Sequence, residues 1–360
     1  MARGVGHPAG GEEGQGARLV TIPLVRAHGD AFARGRAHGE ALRKELRAFL
    51  SDRFARLNAL SPDPLDLDVL RPDLTEYARA IDAQLPDLAE EIRGLADGAG
   101  ISHDEAVLLQ MRREVLGYRK LPTMGDCTTY ARTGSEPVLA QTVDLNGDLD
   151  DHIAVLDVRV GPRRSLVLSF GGLLGYLGVN SAGLAVGLNL VLAGEWRHGP
   201  SPYLAIRHLL DTCDSVTEAV DAVRDLRLAS SRSLTLCDRE TAAWVEIADD
   251  DLRVSTGAEV AHTNHFLHPD LVPRDELTVF ARNFSVRRLA ACEERLAVLP
   301  ARASTEDHFA LLSRDPVRVA GDGDIRRDRT VAAVVLRPDR GELHVRPGDP
   351  AASSTESFAL

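Results

Sequence analysis

The chain has 360 residues and a formal net charge of −12, from 54 acidic and 42 basic side chains. That balance lacks the basic face that binding to a phosphate backbone needs, so nucleic acid is not an expected partner. Hydrophobic residues make up 44% and charged residues 27%, the proportions of a soluble globular protein.

Residues 1–16, MARGVGHPAGGEEGQG, are glycine-rich and carry no apolar core of a secretory signal. They are expected to be a disordered lead-in to a cytoplasmic protein. The next stretch reads as helical over about 30–117. Leu42, Leu46, Leu50, Phe54 and Leu57 recur every three or four residues, as one helix face requires. Leu88, Ile92 and Leu95 repeat the pattern after Pro86, with Gly98 as the expected stop. Ser102 and Glu105 form a capping box ahead of Val107, Leu108, Met111 and Val115.

The character changes at Cys127. Short β-like runs follow: TTYAR, PVLAQTV, HIAVLDVRV and SLVLSF. Helices are expected at 202–212 and 215–226, the second opened by a box of Ser215 and Glu218. Strands follow at 232–237 and 242–248, then a helix over 285–298 and another from Ser304 with Asp307 as its box partner. TVAAVVLRP and ELHVRP, joined by a turn at Asp339–Gly341, read as a closing hairpin. No proline- or glycine-rich linker divides residues 17–360, which are expected to form one structural domain of layered α and β structure.

Residues 165–194 carry no charge, a length that can span a bilayer. They also hold seven glycines, and Gly171-Gly172 and Asn180-Ser181-Ala182-Gly183 read as turns. Short strands buried on both faces explain them better, so no membrane is expected.

Four cysteines occur, at 127, 213, 237 and 292, with no CxxC pair. This argues against a disulfide framework or a zinc ribbon and fits free thiols in a reducing cytosol. Cys127 stands in Met124-Gly125-Asp126-Cys127-Thr128-Thr129-Tyr130, after the helical block has ended and where a strand can present its first side chain at an edge. A lone cysteine is most often a small core residue. Asp144 lies one strand on; by residue type it is a turn residue, and as an acid near a nucleophile it can hold an amine or orient a substrate. His262, His265 and His268 are spaced by three, but Pro269 follows and no carboxylate joins them at a zincin spacing. Between them Asn264 offers a side-chain amide able to donate to a developing oxyanion. Arg329, after a charged loop from Asp322 to Asp328, reads by itself as a solvated loop arginine.

Together these segments resemble the isopenicillin N acyltransferase family (acyl-coenzyme A:6-aminopenicillanic acid acyltransferase) of N-terminal-nucleophile hydrolases. GDCTTYA is similar to the family's Cys-Thr-Thr cleavage segment, GVNSAGLAVGLN to its Asn-x-x-Gly-Leu strand-turn-strand, and HTNHF to its His-x-Asn-His-Phe loop. The TVAAVVL hairpin resembles its closing strands, and Gly35-Arg36-Ala37-His38-Gly39 its first helix. The resemblance runs from about residue 25 to the C-terminal hairpin. It implies an α+β fold, a four-layer αββα sandwich. It also implies self-cleavage between Asp126 and Cys127 into a helical chain, 17–126 with its lead-in, and a chain of 127–360. Cys127 would then be the nucleophile, Asp144 the acid that holds the new amine, Asn264 the oxyanion amide, Asn180 a second oxyanion position and Arg329 an arginine near the nucleophile. One departure is Asp126, where the archetype has glycine.

Such an enzyme would attack a small non-peptide amide or a thioester, with acyl-coenzyme A a possible substrate, no cofactor and no metal. The two cleaved chains are expected to stay associated. Three other readings stay open on the residues alone: an unprocessed Cys–His hydrolase using His262 or His265, a metallohydrolase built on His262, His265 and His268, and a non-catalytic binding protein.

Overall fold

The computed structural model describes residues 21–117 and 127–360; the lead-in and Asp126 lie outside the described residues. In chain order, strand β1 (Leu24–Ala27) precedes six helices. These are α1 (Ala31–Ala41), α2 (Arg43–Ser51), α3 (Leu57–Leu60), α4 (Leu67–Gln84), α5 (Pro86–Ala99) and α6 (His103–Leu116). The Ser102 box closes as the spacing implies: Ser102 N donates to Glu105 Oε2 at 2.7 Å and Glu105 N to Ser102 Oγ at 3.2 Å. The stop of α5 is Gly100, at φ 66°, and not Gly98. Gly98 lies inside the helix because α1 crosses there: a Cβ on it would stand 2.1 Å from Arg36 O. Gly35 makes the matching approach from α1, where a Cβ would stand 1.8 Å from Glu91 O.

The strands begin at β2 (Cys127–Arg132) and continue with β3 (Val138–Leu145), β4 (Ile153–Val160), β5 (Arg163–Phe170), β6 (Leu177–Asn180) and β7 (Ala185–Asn189). Helices α7 (Pro202–Thr212) and α8 (Val216–Arg224) follow, then β8 (Arg232–Cys237), β9 (Ala242–Ala248), β10 (Asp251–Gly257) and β11 (Glu259–His262). The chain closes with α9 (Val279–Val298), α10 (Thr305–Leu312), β12 (Arg329–Arg337), β13 (Glu342–Pro347) and β14 (Glu356–Ala359). Helix α9 starts six residues before the expected 285. Its cap is Thr278, whose Oγ1 accepts from Ala281 N, and its first turn leaves Val279 and Phe280 exposed, so no apolar stripe marks its start.

Two sheets form. One has the order β1-β4-β5-β6-β7-β8-β9-β10, the other β11-β2-β3-β12-β13-β14. They pack face to face, fastened by Gln141 of β3, which donates to Leu188 O at 2.9 Å and accepts from Leu188 N at 3.0 Å on β7. Helices α7 and α8 cover the outer face of the first sheet, and α9 and α10 that of the second. This is the αββα sandwich that the resemblance implied. Residues 165–194 become β5, β6 and β7, buried on both faces. Among the described residues no helix is long and apolar enough to cross a membrane.

The helical block of α1–α6 joins the sandwich through a continuous core and a buried ion network. Glu91 on α5 accepts from Arg34 Nε at 2.9 Å and from Arg207 Nη1 and Nη2 of α7 at 2.8 and 3.0 Å. Burial alone would raise the Glu91 carboxyl; the two guanidinium groups overcome it and hold it below its ordinary value. His38 packs beside this network with neither ring nitrogen hydrogen-bonded, and burial lowers its pKa from 6.5 to about 4. The unfolded chain therefore takes up this proton near pH 6.5 and the folded one only near pH 4, so His38 costs stability as pH falls through that window. The full loss is about 3 kcal/mol. Urea titrations between pH 7 and pH 4 are expected to show a shallower acid decline for His38→Leu than for wild type; equal slopes would contradict it.

Candidate active site

Cys127 is the first residue of β2, paired in register with Val143 of β3, and its side chain is 1% exposed. Its backbone is held at both ends. Cys127 N donates to Asn264 Oδ1 at 3.2 Å. Cys127 O accepts from Asn189 Nδ2 at 3.0 Å and from Arg288 Nη1 at 2.8 Å. The sulfur lies 3.9 Å from the Tyr176 hydroxyl. Strand pairing thus fixes the residue, and three polar side chains from other elements fix its orientation.

Arg288, on the inward face of α9 and fully buried, ties the cluster together. Nη1 also donates to Thr128 Oγ1 at 3.1 Å, and Nη2 donates to Asn264 Oδ1. Its Nη1 stands 3.8 Å from Asp144 Oδ2. Asp144 Oδ1 accepts from Thr330 Oγ1 at 2.6 Å, the residue opposite it on β12. Asn264 sits in the loop after β11; its N–H donates to Ser285 Oγ at 2.8 Å and its Nδ2 to Leu190 O at 2.9 Å. A primary amide has two hydrogens, so one of those on Nδ2 is not used by this bond. Cys127, Asp144 and Asn264 are therefore brought together, with the Asn264 carbonyl oxygen facing the cysteine nitrogen.

The other two expected residues are placed elsewhere. Asn180 ends β6 and shares a strand face with Gly178, whose missing Cβ would meet Leu210 of α7. Its Nδ2 donates to Leu210 O at 3.0 Å and Cys213 O at 2.8 Å, which uses both amide hydrogens. Asn180 is thus a clasp between hairpin and helix and has no donor for an oxyanion. The asparagine at Cys127 is Asn189, at the other end of the same hairpin. It shares a face with Gly187, whose Cβ would stand 3.3 Å from Thr129 in the facing sheet. Arg329 likewise turns away: its neighbour Thr330 faces Asp144, so alternation directs Arg329 to the opposite face. There its Nε meets Asp148 Oδ1 at 2.8 Å and its Nη2 meets Asp150 Oδ1 at 2.6 Å. Arg288 occupies the position expected of Arg329. Because these ion pairs are partly exposed, Arg329→Ala is expected to cost about 1 kcal/mol or less in urea melts and to change kcat/KM less than about threefold.

The three histidines serve the loop. His262 Nε2 contacts Glu246 Oε1 at 2.9 Å and its Nδ1 contacts Thr263 O at 2.7 Å. His265 Nδ1 lies 2.8 Å from Ser285 Oγ, and burial, then His262, lower its pKa to about 4. His268 Nδ1 accepts from Asp270 N at 3.2 Å. Their partners differ, and among the described residues no group of three or more His, Cys, Asp or Glu side chains converges as metal ligands. Cys213, Cys237 and Cys292 are buried, and burial pushes each thiol up.

A model of the family described as acyl-coenzyme A:6-aminopenicillanic acid acyl-transferase matches residues 131–322, more than half of the chain. The chain belongs to this acyltransferase family. It is similar to the 40 kDa form of acyl-coenzyme A:6-aminopenicillanic-acid-acyltransferase from Emericella nidulans, 28% identical over 200 residues. That match covers 54% of this chain and 56% of the relative, so the chain spans little more than half the length of the relative it matches. Among solved structures it is similar to penicillin V acylase from Agrobacterium tumefaciens, with a TM-score of 0.43 and 16% identity over 65% of this chain and 86% of that one. It is also similar to the Caenorhabditis elegans N-acylethanolamine-hydrolyzing acid amidase ortholog, with a TM-score of 0.46 and 17% identity over 65% of this chain and 100% of that one. A variant of conjugated bile acid hydrolase from Clostridium perfringens has a TM-score of 0.48 and 10% identity over 65% of this chain and 97% of that one.

Proposed function

We propose that this family member is an N-terminal-cysteine amidohydrolase or acyltransferase, activated by cutting its own chain between Asp126 and Cys127. The observation that carries the reading is the clamp on Cys127: nitrogen to Asn264, carbonyl oxygen to Asn189 and Arg288, at the first residue of a central strand.

In the cut, Cys127 Sγ attacks the Asp126 carbonyl carbon and the Cys127 nitrogen leaves as an amine. Water then cleaves the resulting thioester to give the Asp126 carboxylate and the free thiol. The two products, of 126 and 234 residues, have reason to stay together. Glu91 of the first meets Arg207 of the second inside a shared core, where separation would expose both charges and apolar surface.

A free thiol has a pKa of about 8.5 and an α-amine about 7.7–8, so an amine beside its own sulfur can take the thiol proton near neutral pH. Sγ attacks the substrate carbonyl, the remaining Asn264 Nδ2 hydrogen meets the developing oxyanion, and the ammonium returns the proton to the leaving amine. An acyl-thioester at Cys127 remains. Water completes hydrolysis; an amine or thiol completes transfer. Asn189 and Arg288 are positioning residues in this scheme, since both hold the cysteine carbonyl and not the substrate. Small non-peptide amides and thioesters, acyl-coenzyme A included, are the donor class. Incubation with a reactive para-nitrophenyl ester, followed by peptide mass spectrometry, is expected to find the acyl group on a peptide whose first residue is Cys127. Acylation elsewhere, or none, contradicts the reading.

A further inference from the structure

A cavity of about 40 Å³ opens beside the nucleophile, walled by Leu109 and Leu116 of α6 and by Phe170, Leu173, Tyr176 and Tyr203. Tyr176 belongs both to this wall and to the surroundings of Cys127 Sγ. Gln110, Arg112, Arg113 and Asn146 also line it, and two of these four polar side chains carry a buried donor that nothing among the described residues accepts from. Asn146, only 6% exposed, has a buried Nδ2 without a hydrogen-bond partner. Arg112 has a buried Nη2 without one; its Nε donates to Ala55 O at 2.9 Å and its guanidinium lies over the Phe49 ring at 5.3 Å. The two are neighbours, since Gly147, next in sequence to Asn146, lies 3.7 Å from Arg112 Nη2 measured from its ideal Cβ position.

Burying unsatisfied donors is costly, and burying a cation more so, unless something pairs with them. The charged groups acting on Arg112 are Arg113 and Arg56, both cationic, together with the Tyr203 phenol, and burial leads the lowering of its pKa to about 10. No carboxylate among the described residues forms an ion pair with Arg112. Two unfilled donors therefore border a cavity that has room for roughly three water-sized groups.

Building on the cysteine-amidase reading, we propose that this cavity is a substrate subsite that takes a short carboxylate-terminated arm. Arg112 Nη2 and Asn146 Nδ2 grip the two oxygens, and the leucine and aromatic walls hold the stem. A carboxylate suits both donors because it accepts in one plane, and its charge offsets the buried guanidinium. The arm belongs either to the acyl group or to the amine that leaves.

Ketones in place of amides separate these sources, because they bind without being cleaved. The probes are propyl phenyl ketone, its analogue with a carboxylate ending the alkyl chain, and its analogue with a para-carboxylate on the ring. Calorimetry on the wild-type protein is expected to give one of the acids a Kd at least about tenfold below that of the neutral ketone. Arg112→Met is expected to bring that ratio close to one. Asn146→Asp, which sets a like charge against the ligand, is expected to bring it below one; it also serves as the readout if Arg112→Met misfolds. If neither acid binds wild type more tightly than the neutral ketone, the carboxylate subsite is overturned, as it is if the preference survives Arg112→Met. The ester-trapping experiment reads Cys127 independently, so loss of the subsite and loss of the nucleophile are distinct outcomes.

Discussion

Cys127→Ala is expected to leave a single 38.9 kDa band on denaturing electrophoresis, where active wild type gives bands of about 14 and 25 kDa, scaled by residue count. Turnover of any amide accepted by wild type should fall by at least about 10³-fold, because the nucleophile of both the self-cut and the catalytic cycle is gone. In the proposed mechanism one sulfur does both jobs. On that scheme Sγ attacks first the carbonyl of the peptide bond that precedes Cys127 and, after the cut, the substrate carbonyl. N-terminal sequencing of the larger wild-type fragment should read Cys127-Thr128-Thr129. A fully active single chain would remove the free amine and with it the proton acceptor, and would return the choice to a histidine base. His265 is poorly suited to that task, being neutral down to about pH 4 with its Nδ1 already at Ser285.

The parts of this molecule that sequence makes legible are those set by local rules. Helix α7 occupies Pro202–Thr212 as read, because Ser201 caps it and Pro202 fills its first turn. Strands β8 and β9 also keep their expected bounds, Arg232–Cys237 and Ala242–Ala248. Cys127, Asp144 and Asn264, which the structure brings together through Arg288, each lie in a short segment with a recognisable pattern. The errors share a cause: they turn on which face of an element a residue occupies in three dimensions. Asn180 and Asn189 sit at the two ends of one hairpin, and only sheet packing tells that the first meets α7 and the second the facing sheet. Arg288 carries no local mark among forty arginines, and it reaches Cys127 across 161 positions of chain. Tyr176 lies in an uncharged run that reads as plain core; only its approach to Sγ distinguishes it.

Arg288→Met should be the most damaging substitution outside Cys127. The wild-type guanidinium bridges Cys127 O, Thr128 Oγ1 and Asn264 Oδ1 and brings a positive charge to 3.8 Å from Asp144. Methionine matches the stem but leaves these buried acceptors without those donors and removes the cation near a fully buried carboxylate. Breaking a buried pair from one side costs about 3–5 kcal/mol, so urea denaturation should show a loss of that order. Self-cutting should slow with it, because Asn264 Oδ1 and the cysteine carbonyl are no longer tied to one rigid fork. Arg288→Lys divides the two effects. A lysine restores the charge but not the planar spread of donors that spans two acceptors at once. It should recover much of the stability while esters acylate Cys127 about 10²-fold more slowly than in wild type, the scale of a misplaced reacting group. Equal stability and equal acylation rates for wild type and Arg288→Met would show that β-strand pairing alone orients Cys127 and that the arginine is dispensable.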